Sequence, residues 1–273
     1  MAVDERAGTY RGGMGEPPMA GGVAIAGACG ISDDLRMPVP PPPPPPPAAR
    51  AAPPDSPRAR CAARCLRASA LLAAVSAVLL TLVAVEWGPL MSLDRWTADG
   101  LHHAAVAHPG PTRAARVLTD WVWSPTAMRV ALAATAVWLV WRRRLPLALW
   151  SAGTAIVGTA LQQGLKAAVG RDRPHWPDPV DSARYSAFPS GHALTATVVC
   201  GLLVWLLVLH GVRKSWVWTA AVAAAVSVVG VGFTRVYLGV HWLSDVVGGT
   251  LLGAALLTGA VGAYGLGWWR GDS

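Results

Sequence analysis

Between residues 69 and 264 the chain is divided into six apolar runs of the kind that cross about 30 Å of hydrocarbon as helices of roughly 20 residues. They lie at about 69–87, 125–141, 145–167, 190–210, 215–233 and 241–264. A backbone in lipid must satisfy its own hydrogen bonds, so runs of this length predict α-helices. The expected fold class is therefore all-α, a polytopic membrane protein with six transmembrane helices. Composition supports this, since only 14% of the residues are charged, against about 25% in soluble proteins. An ordinary cytosolic domain and a chain disordered throughout are both excluded. The second run is the shortest and holds Arg129, read as a side chain reaching back to the nearer interface. Ser124-Pro125 opens that run as a cap residue followed by proline at the first helical position.

Residues 1–66 differ from the rest, with Gly-rich patches and an unbroken run from Pro40 to Pro47. Consecutive prolines lack N–H donors and favour an extended polyproline II rod. The domain division is thus a disordered Gly/Pro-rich cytoplasmic tail at 1–66 and a six-helix membrane domain at 67–273. The first residues lack a basic-then-apolar leader, so the first membrane helix is expected to serve as an uncleaved signal.

The formal charge of +8 raises nucleic acid as a partner until the basic residues are mapped. With the amino terminus inside, the inner face collects Arg50, Arg58, Arg60, Arg64, Arg67, Arg142, Arg143, Arg144, Arg213, Lys214 and Arg270. The outer face holds Arg95, Arg113, Arg116, Lys166, Arg171, Arg173, Arg184 and Arg235. Once Lys166, Arg173 and Arg235 are set aside as parts of motifs, the bias follows the positive-inside rule and puts both termini in the cytoplasm. No nucleic-acid partner is then needed. Segment 88–123 is only half apolar and is expected to form interfacial helices near 93–107 and 111–122, with Trp96, Trp121 and Trp123 at headgroup depth. Its His102, His103 and His108 read as a wet interfacial loop, because no Asp or Glu spacing completes a metal cage. Cys29, Cys61, Cys65 and Cys200 form neither a disulfide framework nor a metal pattern.

Three groups of polar residues fall at the outer ends of the third to sixth helices. In the first, Lys166 ends a helix and Arg173-Pro174 follows, two cations suited to a multiply charged anion. In the second, Pro189-Ser190-Gly191-His192 opens the fourth helix. Its free N–H groups and positive dipole end attract anions, and Gly191 lets a ligand approach the backbone. In the third, Arg235 precedes His241 and Asp245. If the sixth helix starts at His241, the pair shares one face and the carboxylate fixes the imidazole tautomer. An aspartate at the start of an apolar helix is costly, which argues for function. Which histidine attacks is not decided by these residues alone.

In this order the groups resemble the type 2 phosphatidic acid phosphatase (PAP2) superfamily, whose signature is K-x6-RP, then PSGH, then SR-x5-H-x3-D. The likeness covers Lys166 to Asp245 directly and, through the helix pattern, about residues 69–264. Thr234 stands where the family has serine, a hydroxyl for a hydroxyl. The resemblance implies a PAP2/haloperoxidase-like helical core in which His241 is the nucleophile, Asp245 orients it and His192 protonates the leaving oxygen. It also implies that Lys166, Arg173, Ser190, the Gly191 amide and Arg235 hold phosphate. The expected activity is hydrolysis of a lipid phosphate such as undecaprenyl diphosphate, phosphatidic acid or phosphatidylglycerophosphate. No carboxylate cluster suited to Mg²⁺ accompanies the motifs, so no metal or other cofactor is expected.

A transporter or a scaffold is the alternative, but the motif charges cluster at helix ends rather than at the bilayer midplane. Vanadate-dependent haloperoxidases share the pocket yet are soluble. Arg-rich, Lys-poor and Ala-rich usage points to a GC-rich genome. The expected location is a bacterial plasma membrane, with the site on its extracytoplasmic side.

Overall fold

The structure, a computed structural model, describes residues 56–267. The expected tail lies outside the described residues as far as residue 55, and its boundary at 66 is corrected, because helix α1 (Pro57–Ala84) already begins ten residues earlier. Ser56 Oγ accepts the Ala59 N–H at 3.1 Å and Pro57 takes the first helical position, so cap and proline together start the helix.

Seven further α-helices follow among the described residues: α2 (Gly88–Ala107), α3 (Pro109–Val117), α4 (Pro125–Trp141), α5 (Leu145–Val169), α6 (Gly191–Leu209), α7 (Lys214–Tyr237) and α8 (Leu243–Gly265). The fold is all-α. Five of the helices, α1, α5, α6, α7 and α8, are long and apolar enough to cross a membrane, so the chain is a multi-pass membrane protein. The sixth expected span, α4, falls short of that length. Helix α4 occupies the expected residues 125–141 and is capped by Ser124, but its 17 residues rise only about 25 Å.

Helix α6 touches α4, α5, α7 and α8. Met128 and Leu132 of α4, Leu194, Val198 and Leu202 of α6, and Val231 of α7 form the apolar core between them. Helix α8 lies along α1 through small residues: a Cβ on Gly259 would stand 2.8 Å from Ser69 Oγ, and one on Gly262 2.8 Å from Leu66 Cγ. Lipid tails are as apolar as leucine, so such close backbone approach, rather than hydrophobic burial, holds membrane helices together. Ser69 Oγ adds a hydrogen bond to the Ala255 carbonyl at 2.7 Å. Val78, Val137, Ile156, Val226 and Val229 point outward, as a lipid-facing surface requires.

The two expected interfacial segments are α2 and α3, the latter continued by a π-helical turn at Leu118–Val122. Trp96 and Trp121 are exposed, whereas Trp123 is tucked against Gly230 of α7. His102 is a second correction. It is buried and stacked on Trp176 at 3.9 Å, because the loop after α5 folds over α2.

Candidate active site

Helix α5 ends at Gly170, whose φ of +63° is the left-handed conformation glycine adopts freely. The chain then crosses an irregular loop to the start of α6. Lys166, in the last turn of α5, is buried and its Nζ donates to the Ser186 carbonyl and, at 3.4 Å, to that of Ala187. Arg173 is fastened by the same loop: Nε donates to the Tyr185 carbonyl at 2.8 Å and one terminal nitrogen to that of Arg184 at 3.2 Å. Its other terminal nitrogen donates to the Val240 carbonyl at 2.5 Å and lies 3.2 Å from His241 Nε2. Burial and the nearby Arg235 charge push the Arg173 pKa down to about 10, still cationic at neutral pH.

Ser190 stands at the N-cap of α6 but its side chain makes no cap bond. Its Oγ is buried without a partner, while its N–H donates to the Asp245 carbonyl at 2.9 Å. The backbone of α6 can come close to α5 here because residue 191 is glycine, where a Cβ would stand 2.9 Å from the Gln162 amide nitrogen. His192, half-buried in the first turn, lies within the electrostatic reach of Arg235, His241, Arg173 and Lys166.

Helix α7 runs past the expected end at 233, so Arg235 sits in its last turn, buried, with one guanidinium nitrogen 3.5 Å from Asp181 Oδ2 and its Nε unpartnered. Helix α8 begins at Leu243, two residues later than expected, and His241 belongs to the preceding turn. The pair still meets: His241 Nδ1 is 3.2 Å from Asp245 Oδ2, which also accepts the Trp242 N–H at 2.9 Å. Asp245 as acceptor at Nδ1 and Arg173 as donor at Nε2 both select the Nδ1–H tautomer. Burial, reinforced by Arg173, Arg235, Lys166 and Arg171, holds the His241 pKa well below the usual imidazole value. A neutral imidazole with its Nε2 lone pair facing a ring of cations is suited to bonding an electrophilic phosphorus.

A cleft of about 440 Å³ lies against this region, lined by Arg171, Arg173, Trp176, Asp181 and Tyr185 among others. Among the described residues no group of three or more His, Cys, Asp or Glu side chains is placed to hold a metal ion. The sequence reading missed Arg171, Asp94 and Ser244. Arg171, counted only as an outer-face charge, is ion-paired at 2.7 Å with both Asp94 and Asp245. A signal for Asp94 was available, since it is a carboxylate in an amphipathic segment with no basic residue assigned to it.

Residues 147–268 match the family model described as the PAP2 superfamily. The match takes in all three polar groups, from Lys166 to Asp245. Two relatives resemble the chain in sequence: phosphatidylglycerophosphatase B of Bacillus subtilis (strain 168), 39% identical over 100 residues, and undecaprenyl-diphosphatase of Sulfolobus acidocaldarius, 30% identical over 144 residues. These matches cover 35% and 50% of this chain and 47% and 60% of the relatives, so the chain spans about half the length of the curated relatives it matches. The crystal structure of a transmembrane PAP2-type phosphatidylglycerolphosphate phosphatase from Bacillus subtilis is similar to this chain in fold. The TM-score is 0.65 at 23% identity, over 75% of this chain and 98% of that one.

Proposed function

We infer that the chain is a membrane lipid phosphatase, cleaving a phosphomonoester or diphosphate through a phosphohistidine. The observation that carries the reading is His241, with Nδ1 held by buried Asp245 and Nε2 turned toward Arg173, each at 3.2 Å. Lys166, Arg173, Ser190, the Gly191 amide and Arg235 bind the phosphate. Ser190 Oγ and Arg235 Nε, buried without partners, are atoms that phosphate oxygens would satisfy. Nε2 of His241 bonds to phosphorus as the P–O bond to the leaving group breaks in line, and His192 gives that oxygen a proton. The negative phosphate, arriving among the cations around His192, is what lets that imidazole hold the proton. Water then loses a proton to His192, attacks phosphorus and breaks the N–P bond, releasing phosphate and neutral His241.

The two relatives named above are called a phosphatidylglycerophosphatase and an undecaprenyl-diphosphatase. Both names describe a phosphate on an apolar anchor, which suits a site at the ends of apolar helices. Arg142–Arg144 and Arg213-Lys214 lie at the opposite helix ends from the site, and with α4 as a sixth, short span both termini face the cytoplasm and the site the outer surface of a plasma membrane. Side-chain cations supply the neutralisation that phosphoryl transfer requires, so neither a metal nor nucleic acid enters this reading. Phosphate release from undecaprenyl diphosphate, phosphatidic acid and phosphatidylglycerophosphate by the purified full chain tests it. Release should survive a chelator and vanish in His241→Ala; full turnover in that variant would overturn the reading.

A further inference from the structure

Asp94, Arg171 and Ser244 touch none of the groups assigned to phosphate, yet they form a closed cluster behind the His241–Asp245 pair. Asp94 comes from α2 and is 1% exposed. Its Oδ1 accepts the Ser244 N–H at 2.9 Å, and its Oδ2 accepts the Ser244 hydroxyl at 2.5 Å and an Arg171 terminal nitrogen at 2.7 Å. The other terminal nitrogen of Arg171 donates to Ser244 Oγ and to Asp245 Oδ1, both at 2.7 Å. The guanidinium also lies 5.6 Å from the centre of the Trp242 ring.

We propose that Asp94 and Arg171 are positioning residues that act on His241 through Asp245, an inference that rests on the phosphohistidine reading above. A carboxylate turns readily about its last side-chain bond, and Asp245 Oδ2 must serve two donors, His241 Nδ1 and the Trp242 N–H. Arg171 holds the opposite oxygen and so fixes the plane of the carboxylate. A guanidinium held at one nitrogen could itself swing. Asp94 takes the second nitrogen, and the rigid fork then spans two carboxylates in a way a lysine cannot. A salt bridge serving burial alone would need only Arg171 and Asp245. The third member ties the interfacial helix α2 to the nucleophile, with Trp96 exposed on the same helix two residues further on.

The charged groups acting on His241 are Asp245 of α8, Arg171 and Arg173 of the loop after α5, Lys166 of α5 and Arg235 of α7; His192 of α6 is the neighbouring titratable group. The test uses the full chain in detergent and the panel lipid that the wild type turns over fastest, with Asp94→Asn, Arg171→Lys and Arg171→Gln. Asp94→Asn and Arg171→Lys should each lower kcat at least ~10-fold by misplacing the nucleophile, with KM changed less than about twofold. Arg171→Gln, which removes a cation acting on His241, should move the acid limb of kcat/KM to higher pH. Arg171→Lys, which keeps the charge, should leave that limb in place. A folded Asp94→Asn with wild-type kcat overturns the proposal, and so does a loss confined to KM. If Arg171→Gln does not fold, Asp94→Asn and Arg171→Lys decide the matter by the same two readouts. A wild type that releases no phosphate, or a His241→Ala that keeps its rate, overturns the underlying reading and the inference with it.

Discussion

In the proposed reaction His241 has to be nucleophilic, hence neutral, and yet stand among cations that would hold a highly charged substrate. The same arrangement meets both demands, because burial and the charges of Arg173, Arg235, Lys166 and Arg171 disfavour its protonated form. The acid limb of kcat/KM should therefore lie below the ordinary imidazole range, and Lys166→Met should shift it upward. Measuring the shift between variants on one substrate removes the contribution of the substrate's own phosphate ionisation, near pH 6. The depressed pKa also has a stability consequence. The unfolded chain takes up a proton at residue 241 that the native state refuses, so this contribution is complete above the unfolded pKa and falls away as pH drops below it. The melting midpoint in detergent should decline between about pH 7 and pH 5. His192 is the second residue to test: His192→Ala should slow phosphohistidine formation by ~10²–10⁴-fold while leaving binding largely intact. Unchanged single-turnover kinetics would remove its assigned role.

Among the elements, the junction of α6 and α8 brings the motifs together. The Ser190 N–H bonds the Asp245 carbonyl, and residue 249 must be glycine for that approach, since a Cβ there would stand 2.5 Å from the Ser190 carbonyl oxygen and 3.3 Å from Leu194 N. Gly249→Ala should separate the two helix starts, costing about 1–3 kcal/mol together with activity. Gly100→Ala in α2, where a Cβ meets nothing within 4 Å, should instead stabilise by ~0.5–1 kcal/mol. Melting of both variants in detergent checks the pair. Helix limits were legible where hydropathy changed sharply, helped at α4 by the Ser124 cap. Residues 125–141 coincide with α4, and 145–167 and 190–210 differ from α5 and α6 by at most two residues at an end. The reading stopped four residues short on α7 because Thr234-Arg235 interrupts the apolar run. The helix continues there because Arg235 is matched by Asp181 across the loop.

For the molecule as a whole, orientation is a prediction that labelling decides. In a cysteine-free background, Ser182→Cys should react with an impermeant maleimide on intact cells, and Arg143→Cys only after the membrane is opened; the reverse pattern would overturn the orientation. At about 25 Å, α4 spans only if the bilayer thins locally or its ends are solvated. The sequence by itself determined the all-α membrane class, the course of the helices and the gathering of Lys166, Arg173, Ser190, Gly191, His192, Arg235, His241 and Asp245 at one set of helix ends. Hydropathy and capping are local properties, readable within a few turns. Only the tertiary structure decided that His102 is buried under Trp176 and that Asp94 reaches Arg171 across 77 residues of chain and Ser244 across 150. Such pairings depend on how helices already formed pack against one another, and local spacing in the sequence carries no record of that packing.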